Sequence, residues 1–240
     1  MIRFISLGPG DPELITVKGL NALRRSDVIF CPATRIKAAN GEGVERTLSR
    51  AAEIVKALGI DEGRIELFHL PMSLQREEAQ DAYNQLYKAV LDKSKRCEVA
   101  VVAEGDAGFY ASIHYVYERL VAAKVPVQQI AGVPAFIAAG AVAGLHIVKQ
   151  RERLQVIPGT ATAYELIEWV ESGQSCVIMK LNGCQAAVRT CMVAHPEFEY
   201  HYFEQVGTAN ERYITDKEQL MRLTFPYFSL MIIRKREGQA

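Results

Sequence analysis

From its first residue the chain alternates short apolar runs with segments of helical spacing, and this alternation restricts it to α/β architectures built on a mostly parallel sheet. Parallel neighbours cannot be joined by a hairpin, so each helical segment has a place as a crossover. Residues 2–7 read as a strand, Thr16 as the cap of a helix reaching Arg25, and residues 28–31 as a strand that stops at Pro32. Residues 47–58 have helical spacing with Gly59 as the stop, residues 65–70 read as a strand, and a helix over 78–91 puts Ala82, Leu86 and Val90 on one face. Residues 99–103 form the most buried-looking strand. They run into Glu104-Gly105-Asp106, after which residues 109–122 are expected to be helical with Tyr110, Ile113, Val116 and Leu120 along one side.

Beyond Lys124-Val125-Pro126 the strands become more polar and the helices shorter. A boundary there gives an N-terminal α/β domain, 1–123, and a C-terminal α/β domain, 124–240. In the second, residues 134–144 are an Ala/Gly-rich helix that would let another backbone approach closely. Residues 154–157, 176–180, 200–204 and 228–233 are strands, the last two long enough to pair with each other.

Composition narrows the function. The 28 basic and 28 acidic residues cancel, leaving no net field to attract nucleic acid. Arg3 and the Gly8-Pro9-Gly10-Asp11 break interrupt the opening apolar run, which is wrong for a signal peptide, and no run approaches the roughly 18 apolar residues of a membrane span. A cytoplasmic protein without a membrane partner is expected. The five cysteines, Cys31, Cys97, Cys176, Cys184 and Cys191, have no CxxC spacing and read as reduced thiols, three of them within apolar runs. His69, His114, His146, His195 and His201 show neither HxH nor HExxH spacing, so no metal site is expected.

Gly8-Pro9-Gly10 after the first strand invites comparison with dinucleotide folds, where a glycine loop and a helix N-terminus hold a pyrophosphate. A GxGxxG pattern would need glycine at position 13, where the chain has Glu13, and Asp11 adds a second repelling carboxylate. No GxxxxGK[ST] run is present either. A tight turn without a ligand is the plain alternative. The second such loop, Ala103-Glu104-Gly105-Asp106-Ala107-Gly108-Phe109-Tyr110, also follows a strand, at the carboxyl end where open α/β sheets place ligands. Two glycine-acid turns facing one crevice suit a ligand with hydroxyls and positive charge, as an adenosyl sulfonium has, better than a phosphate.

These residues resemble the tetrapyrrole methylases of the cobalamin and sirohaem pathways, the class III methyltransferases, over nearly the whole chain. Residues 6–20, SLGPGDPELITVKGL, followed by Ser26-Asp27-Val28-Ile29, are similar to that family's first motif. Glu104-Gly105-Asp106-Ala107 resembles its GDP motif, Gly132-Val133-Pro134-Ala135-Phe136 its PG[IV]SS motif, Val177-Ile178-Met179-Lys180 its strand ending in Met, and Gly207-Thr208 with Glu211-Arg212 its late turn. The chain departs from the pattern at Ala107, Ala131 and Pro134-Ala135. Leu70-Pro71-Met72, Phe109-Tyr110-Ala111-Ser112 with Tyr115-Val116, and Pro226-Tyr227-Phe228-Ser229-Leu230 are similar to the branch that methylates C20 of precorrin-2 or cobalt-factor II. The resemblance implies two α/β domains with S-adenosylmethionine in the cleft between them, a tetrapyrrole substrate and a homodimer. It implies cofactor contacts at Pro9, Gly105, Asp106, Phe109, Ala135, Phe136, Met179, Gly207 and Thr208, with Phe228-Ser229 nearby.

Methyl transfer from a sulfonium is a displacement in which orientation and exclusion of water do most of the work. An enamine-like C20 needs no base to form the bond, so no triad is expected. Glu104 and Tyr110 are the candidates to accept the C20 proton afterwards, each with a structural reading beside it, as a capping carboxylate and as packing. Substrate carboxylates would call for basic side chains, with Arg35 first and Lys37, Lys149, Arg151, Arg153, Lys180 and Arg212 after it, all equally readable as solvated charges. The rival readings are a methylase of another tetrapyrrole position or another substrate, an inactive nucleotide-binding module hinted at by Ala107 and Ala131, and a nicotinamide oxidoreductase, against which Glu13 weighs.

Overall fold

In this computed structural model residues 1–36, 46–70 and 76–235 are described. The chain forms two compact units, 1–134 and 135–240.

The first unit is a six-stranded sheet between two helical layers. β1 (Ile2–Ser6), β2 (Val28–Ile36), β4 (Ile65–His69), β5 (Val99–Ala103) and β6 (Val127–Ile130) are mutually parallel where they pair, in the order β4-β2-β5-β1-β6, and β3 (Arg46–Leu48) pairs antiparallel to the end of β2. Strand alternation sends Phe4, Phe30, Val99 and Val101 to one face, under α3 (Arg76–Ser94) and α4 (His114–Ala122). Ile5, Ile29, Ala100 and Val102 go to the other, under α1 (Val17–Arg25) and α2 (Arg50–Ala57). β5 is buried at every position because it lies between parallel neighbours and under helices on both faces. The connection after β1 leads to β2 and that after β5 to β6, in opposite directions across the sheet, so the carboxyl ends of β1 and β5 flank a topological switch point.

The second unit holds α5 (Ala135–Val142) and a mixed sheet in the order β10-β9-β11-β8-β7. β7 (Arg153–Ile157) and β8 (Gln174–Met179) are parallel, joined by α6 (Ala163–Glu171). β11 (Ser229–Arg234) runs antiparallel between β8 and β9 (Glu199–Glu204), and β10 (Arg212–Ile214) forms the edge. The pairing expected of the last two long strands is the β9–β11 ladder. α6, α7 (Gln185–Ala194) and α8 (Lys217–Arg222) bury Leu166, Val188, Cys191 and Leu220 against Cys176, Ile178, Tyr200 and Tyr202 on one face. Thr162 and Glu165 close a capping box at the start of α6.

Three local expectations fail for identifiable reasons. β2 does not stop at Pro32: its ladder with β5 ends at Phe30, so the missing N–H leaves no gap there, and pairing with β4 continues to Ala33. Thr47 and Leu48 are strand, not helix, because α2 starts only after Ser49, whose hydroxyl accepts from the Ala52 N–H. Residues 109–113 are loop, because the turn begun by Asp106 carries Tyr110 to a φ of 52° and α4 cannot start before His114. Pro71 and Met72 lie outside the described residues.

Four of the five cysteines are buried, and burial pushes the Cys31 and Cys176 thiols up to about 12. Leu120 is fully buried on α4 among Phe4, Val101 and Val116. Leu120→Ala is expected to cost about 2–5 kcal/mol, read as a lowered urea midpoint with an unchanged slope.

Candidate active site

The carboxyl ends of β1, β5 and β6 are tied into one assembly by two side chains. Ser6, fully buried at the end of β1, donates from Oγ to the Ile130 carbonyl (2.7 Å) and accepts from the Ala107 N–H (2.8 Å). Asp106 spreads its carboxylate over the Gly132 N–H (2.6 Å), the Gly108 N–H (2.8 Å) and the Ser6 hydroxyl (3.4 Å). The two glycine turns are joined directly: Gly8 N–H donates to the Gly105 carbonyl at 3.1 Å and Gly105 N–H to the Gly8 carbonyl at 2.7 Å. Both glycines have positive φ, 80° and 69°, which a side chain would strain. At Gly132 a Cβ would meet the Ser6 Cβ at 2.4 Å and the Gly105 carbonyl oxygen at 2.9 Å, so glycine is needed for the close approach itself.

Pro9, Gly105, Asp106 and Phe109 therefore share one loop cluster at the switch point. Phe109 packs against Tyr110, ring centroids 4.6 Å apart, with Tyr110 held in the left-handed region and exposed. Glu104 enters the same cluster through a residue that sequence reasoning missed. Arg50, the first residue of α2, pairs with the Glu104 carboxylate at 3.2 Å and donates to the Pro9 carbonyl at 3.2 Å, linking the two glycine loops from one side. No motif marks Arg50, since its place depends on where α2 begins. Burial raises the Glu104 carboxyl above the ordinary carboxylate range, and Arg50 opposes that rise.

The turn after β1 also decides against a pyrophosphate. Asp11 accepts the Glu13 N–H at 2.9 Å, capping a single three-residue turn, and the α-helix starts only at Val17 under its own Thr16 cap. The amide a phosphate would need is already taken by a carboxylate. Backbone groups and acids fit the hydroxyls and cationic sulfur of an adenosyl sulfonium.

In the second unit Ala135 and Phe136 form the first turn of α5, Phe136 buried. Met179 ends β8 in a row with Leu230 and Phe203, so it shares the sheet edge where the chain leaves β9 and enters β11. The Gly207-Thr208 turn stands at that edge, closed by the Gly207 N–H on Glu211 (2.7 Å) and the Thr208 hydroxyl on the Gln205 carbonyl (2.8 Å), while Gln205 N–H donates to the Phe228 carbonyl at 2.9 Å. Met179, Gly207, Thr208 and Phe228-Ser229 are thereby brought together at one end of the second sheet. Sequence reasoning also missed the support beneath Met179. Gly159 after β7 lies so close that a Cβ would meet the Lys180 carbonyl oxygen at 2.4 Å, and Lys180 itself has a φ of 55°.

Of the basic candidates, Arg35 lies on β2 and Lys37 outside the described residues. Lys149, Arg151 and Arg153 are exposed, Arg212 pairs with Glu204 at 3.3 Å, and the Lys180 ammonium lies 5.7 Å from the Tyr227 ring centroid. Among the described residues no group of three or more His, Cys, Asp or Glu is placed to hold a metal, and no helix is long and apolar enough to cross a membrane.

Comparison with known proteins decides the family. The profile of the Tetrapyrrole (Corrin/Porphyrin) Methylases matches residues 1–220. The chain belongs to that family. It is a methyltransferase with S-adenosylmethionine as its methyl donor. It is 28% identical over 238 residues to a precorrin-2 C(20)-methyltransferase from Sinorhizobium sp., covering 95% of this chain and 93% of that one. With the cobalt-precorrin-2 C(20)-methyltransferase of Salmonella typhimurium it shares 26% identity over 189 residues, 78% of this chain and 76% of the relative. Among solved structures, a cobalt precorrin-4 methyltransferase superposes with a TM-score of 0.70 at 17% identity over 97% of this chain and 94% of the other. The uroporphyrin-III C-methyl transferase of Thermus thermophilus complexed with S-adenyl homocysteine gives 0.64 at 16% over 97% and 96%. These two establish the methylase fold.

Two outcomes are expected. Ser6→Ala leaves the buried Ala107 N–H without its acceptor and should cost about 1–3 kcal/mol in thermal or urea unfolding. Because the folded pKa of Glu104 lies above its unfolded value, folding binds its proton more tightly, so this group's contribution is full below the ordinary value of 4.5 and is lost as pH rises through the raised one. Glu104→Gln should flatten that decline in unfolding free energy between acidic and neutral pH; an unchanged slope would show that the carboxyl is not buried as described.

Proposed function

We propose that this methylase transfers a methyl group from S-adenosylmethionine to C20 of precorrin-2, or of its cobalt complex, in cobalamin biosynthesis. The observation that carries the choice of substrate is the near full-length match to a relative named for that reaction, joined by a second relative named for the cobalt form. When bound, S-adenosylmethionine supplies an electrophilic methyl group on a cationic sulfur. We assign its contacts to Pro9, Gly105, Asp106 and Phe109 in the first unit and to Ala135, Phe136, Met179, Gly207 and Thr208 in the second. Support for the first four comes from their common loop cluster, and for the last three from their common sheet edge.

The protein's part in catalysis is to hold two partners in line and keep water out. After the bond forms, C20 must lose its proton. Glu104 suits that role better than Tyr110, because burial strengthens its ionised form as a base and Arg50 fixes its carboxylate. A homodimer in the cytoplasm completes the reading, on the family resemblance.

The test is incubation with labelled S-adenosylmethionine and anaerobically prepared precorrin-2 or cobalt-factor II. Label at C20 of one of them is expected; transfer to another carbon, or none despite cofactor binding, would contradict the assignment. Glu104→Gln should lower kcat by roughly 10²–10⁴ with little change in KM for S-adenosylmethionine.

A further inference from the structure

Tyr110 has a backbone φ of 52° and is the one aromatic side chain among the five described non-glycine residues with positive φ. A left-handed backbone is natural for glycine and costly for a bulky residue, and where it persists it concentrates at ligand clamps and active sites. Burial does not account for it here, because Tyr110 remains 41% exposed. Glycine would make this bend with less strain, so the reason for a tyrosine lies in its ring.

The surrounding backbone holds that ring in one place. Before Tyr110, the Gly108 N–H donates to the Asp106 carboxylate at 2.8 Å and the Phe109 N–H to the Asp106 carbonyl at 3.1 Å. After it, the His114 N–H donates to the Ala111 carbonyl at 3.2 Å and the Tyr115 N–H to the Ser112 carbonyl at 3.3 Å. Tyr110 is the link between these two turns. The first of them is anchored at the switch point, since Ala107 donates to Ser6 and Asp106 accepts the Gly132 N–H. One side of the ring is supported by Phe109, with centroids 4.6 Å apart and planes inclined at 60°. Much of the residue's remaining surface is open to solvent.

The reaction narrows what can lie there. The methyl group and the carbon that accepts it must approach to roughly 3–3.5 Å, so the substrate has to border the same loop cluster that is assigned to the donor. A tetrapyrrole is a broad conjugated ring system, and aromatic side chains meet such systems in offset or tilted contact. Adenine is flat as well. Phe109, however, is the aromatic assigned to the donor, is half-buried and stands one residue nearer the Asp106 turn. The exposed ring beyond it is left for the larger ligand.

We propose that the Tyr110 ring is a platform against which the macrocycle of the tetrapyrrole substrate packs, an inference that rests on the substrate reading above. Tyr110 is then a binding residue, acting through its ring and not through its hydroxyl. The strained backbone sets the platform before the substrate arrives, so little ordering is left for the binding step.

Uroporphyrin III, a stable conjugated tetrapyrrole, serves as the probe. Its binding is followed by absorbance for the wild type, Tyr110→Phe, Tyr110→Gly and Tyr110→Asn, with S-adenosylhomocysteine binding measured by calorimetry and unliganded thermal midpoints recorded. Glycine and asparagine both tolerate the left-handed backbone, and asparagine keeps the loop stiffer than glycine does. Both variants should bind the porphyrin roughly tenfold more weakly, whereas phenylalanine should stay within about twofold of the wild type. S-adenosylhomocysteine affinity should be unchanged, and the midpoints of the glycine and asparagine variants should not fall, because the strain is relieved. Undiminished porphyrin binding by both ringless variants, a loss in the phenylalanine variant as large as theirs, a parallel loss of S-adenosylhomocysteine binding, lowered midpoints in both ringless variants, or no porphyrin binding by the wild type would each overturn the inference. Ring-dependent porphyrin binding by a protein that methylates a carbon other than C20 would support it while contradicting the C20 assignment.

Discussion

The first unit depends on how Ser6 and Asp106 gather the ends of three parallel strands. Parallel strands leave the sheet in the same direction, so their loops emerge side by side with backbone groups that no ladder satisfies. Ser6 pairs the end of β6 with the loop after β5, and Asp106 draws in Gly132 and Gly108. Once those donors are paired, the Gly8–Gly105 contact can close and the loops become a preformed rim. Ser6 and Asp106 accordingly act first as scaffold, the Asp106 carboxylate being taken up by two backbone N–H donors.

Glu104 differs in kind. It pairs with Arg50 and its pKa is raised by burial, whereas the Asp106 carboxylate accepts the Gly108 and Gly132 N–H groups.

The sheet core of the first unit was legible because β5 and the strands beside it are short apolar runs bounded by turn residues, a pattern that burial on both faces imposes. The loops were legible as glycine-acid turns through their resemblance to a motif. The misread boundaries arose where tertiary contacts override local pattern: Pro32 is tolerated because β5 has already left the ladder, and Tyr110 is held out of a helix by the Asp106 turn. Arg50 left no signal, since it acquires its role from the start of a helix. In the second unit the β9–β11 pairing followed from length and alternation, while the close approach of Gly159 to Lys180 shows only in three dimensions.

The loop rim closed by Asp106 is proposed to hold the adenosyl group. Calorimetric titration of S-adenosylhomocysteine into wild type and Asp106→Asn tests it directly, since the amide turns one accepting position into a donor facing the N–H groups of Gly108 or Gly132. Saturable binding by the wild type is expected, with an affinity lowered roughly tenfold or more in the variant and the fold retained. Equal affinity in the two proteins would contradict it.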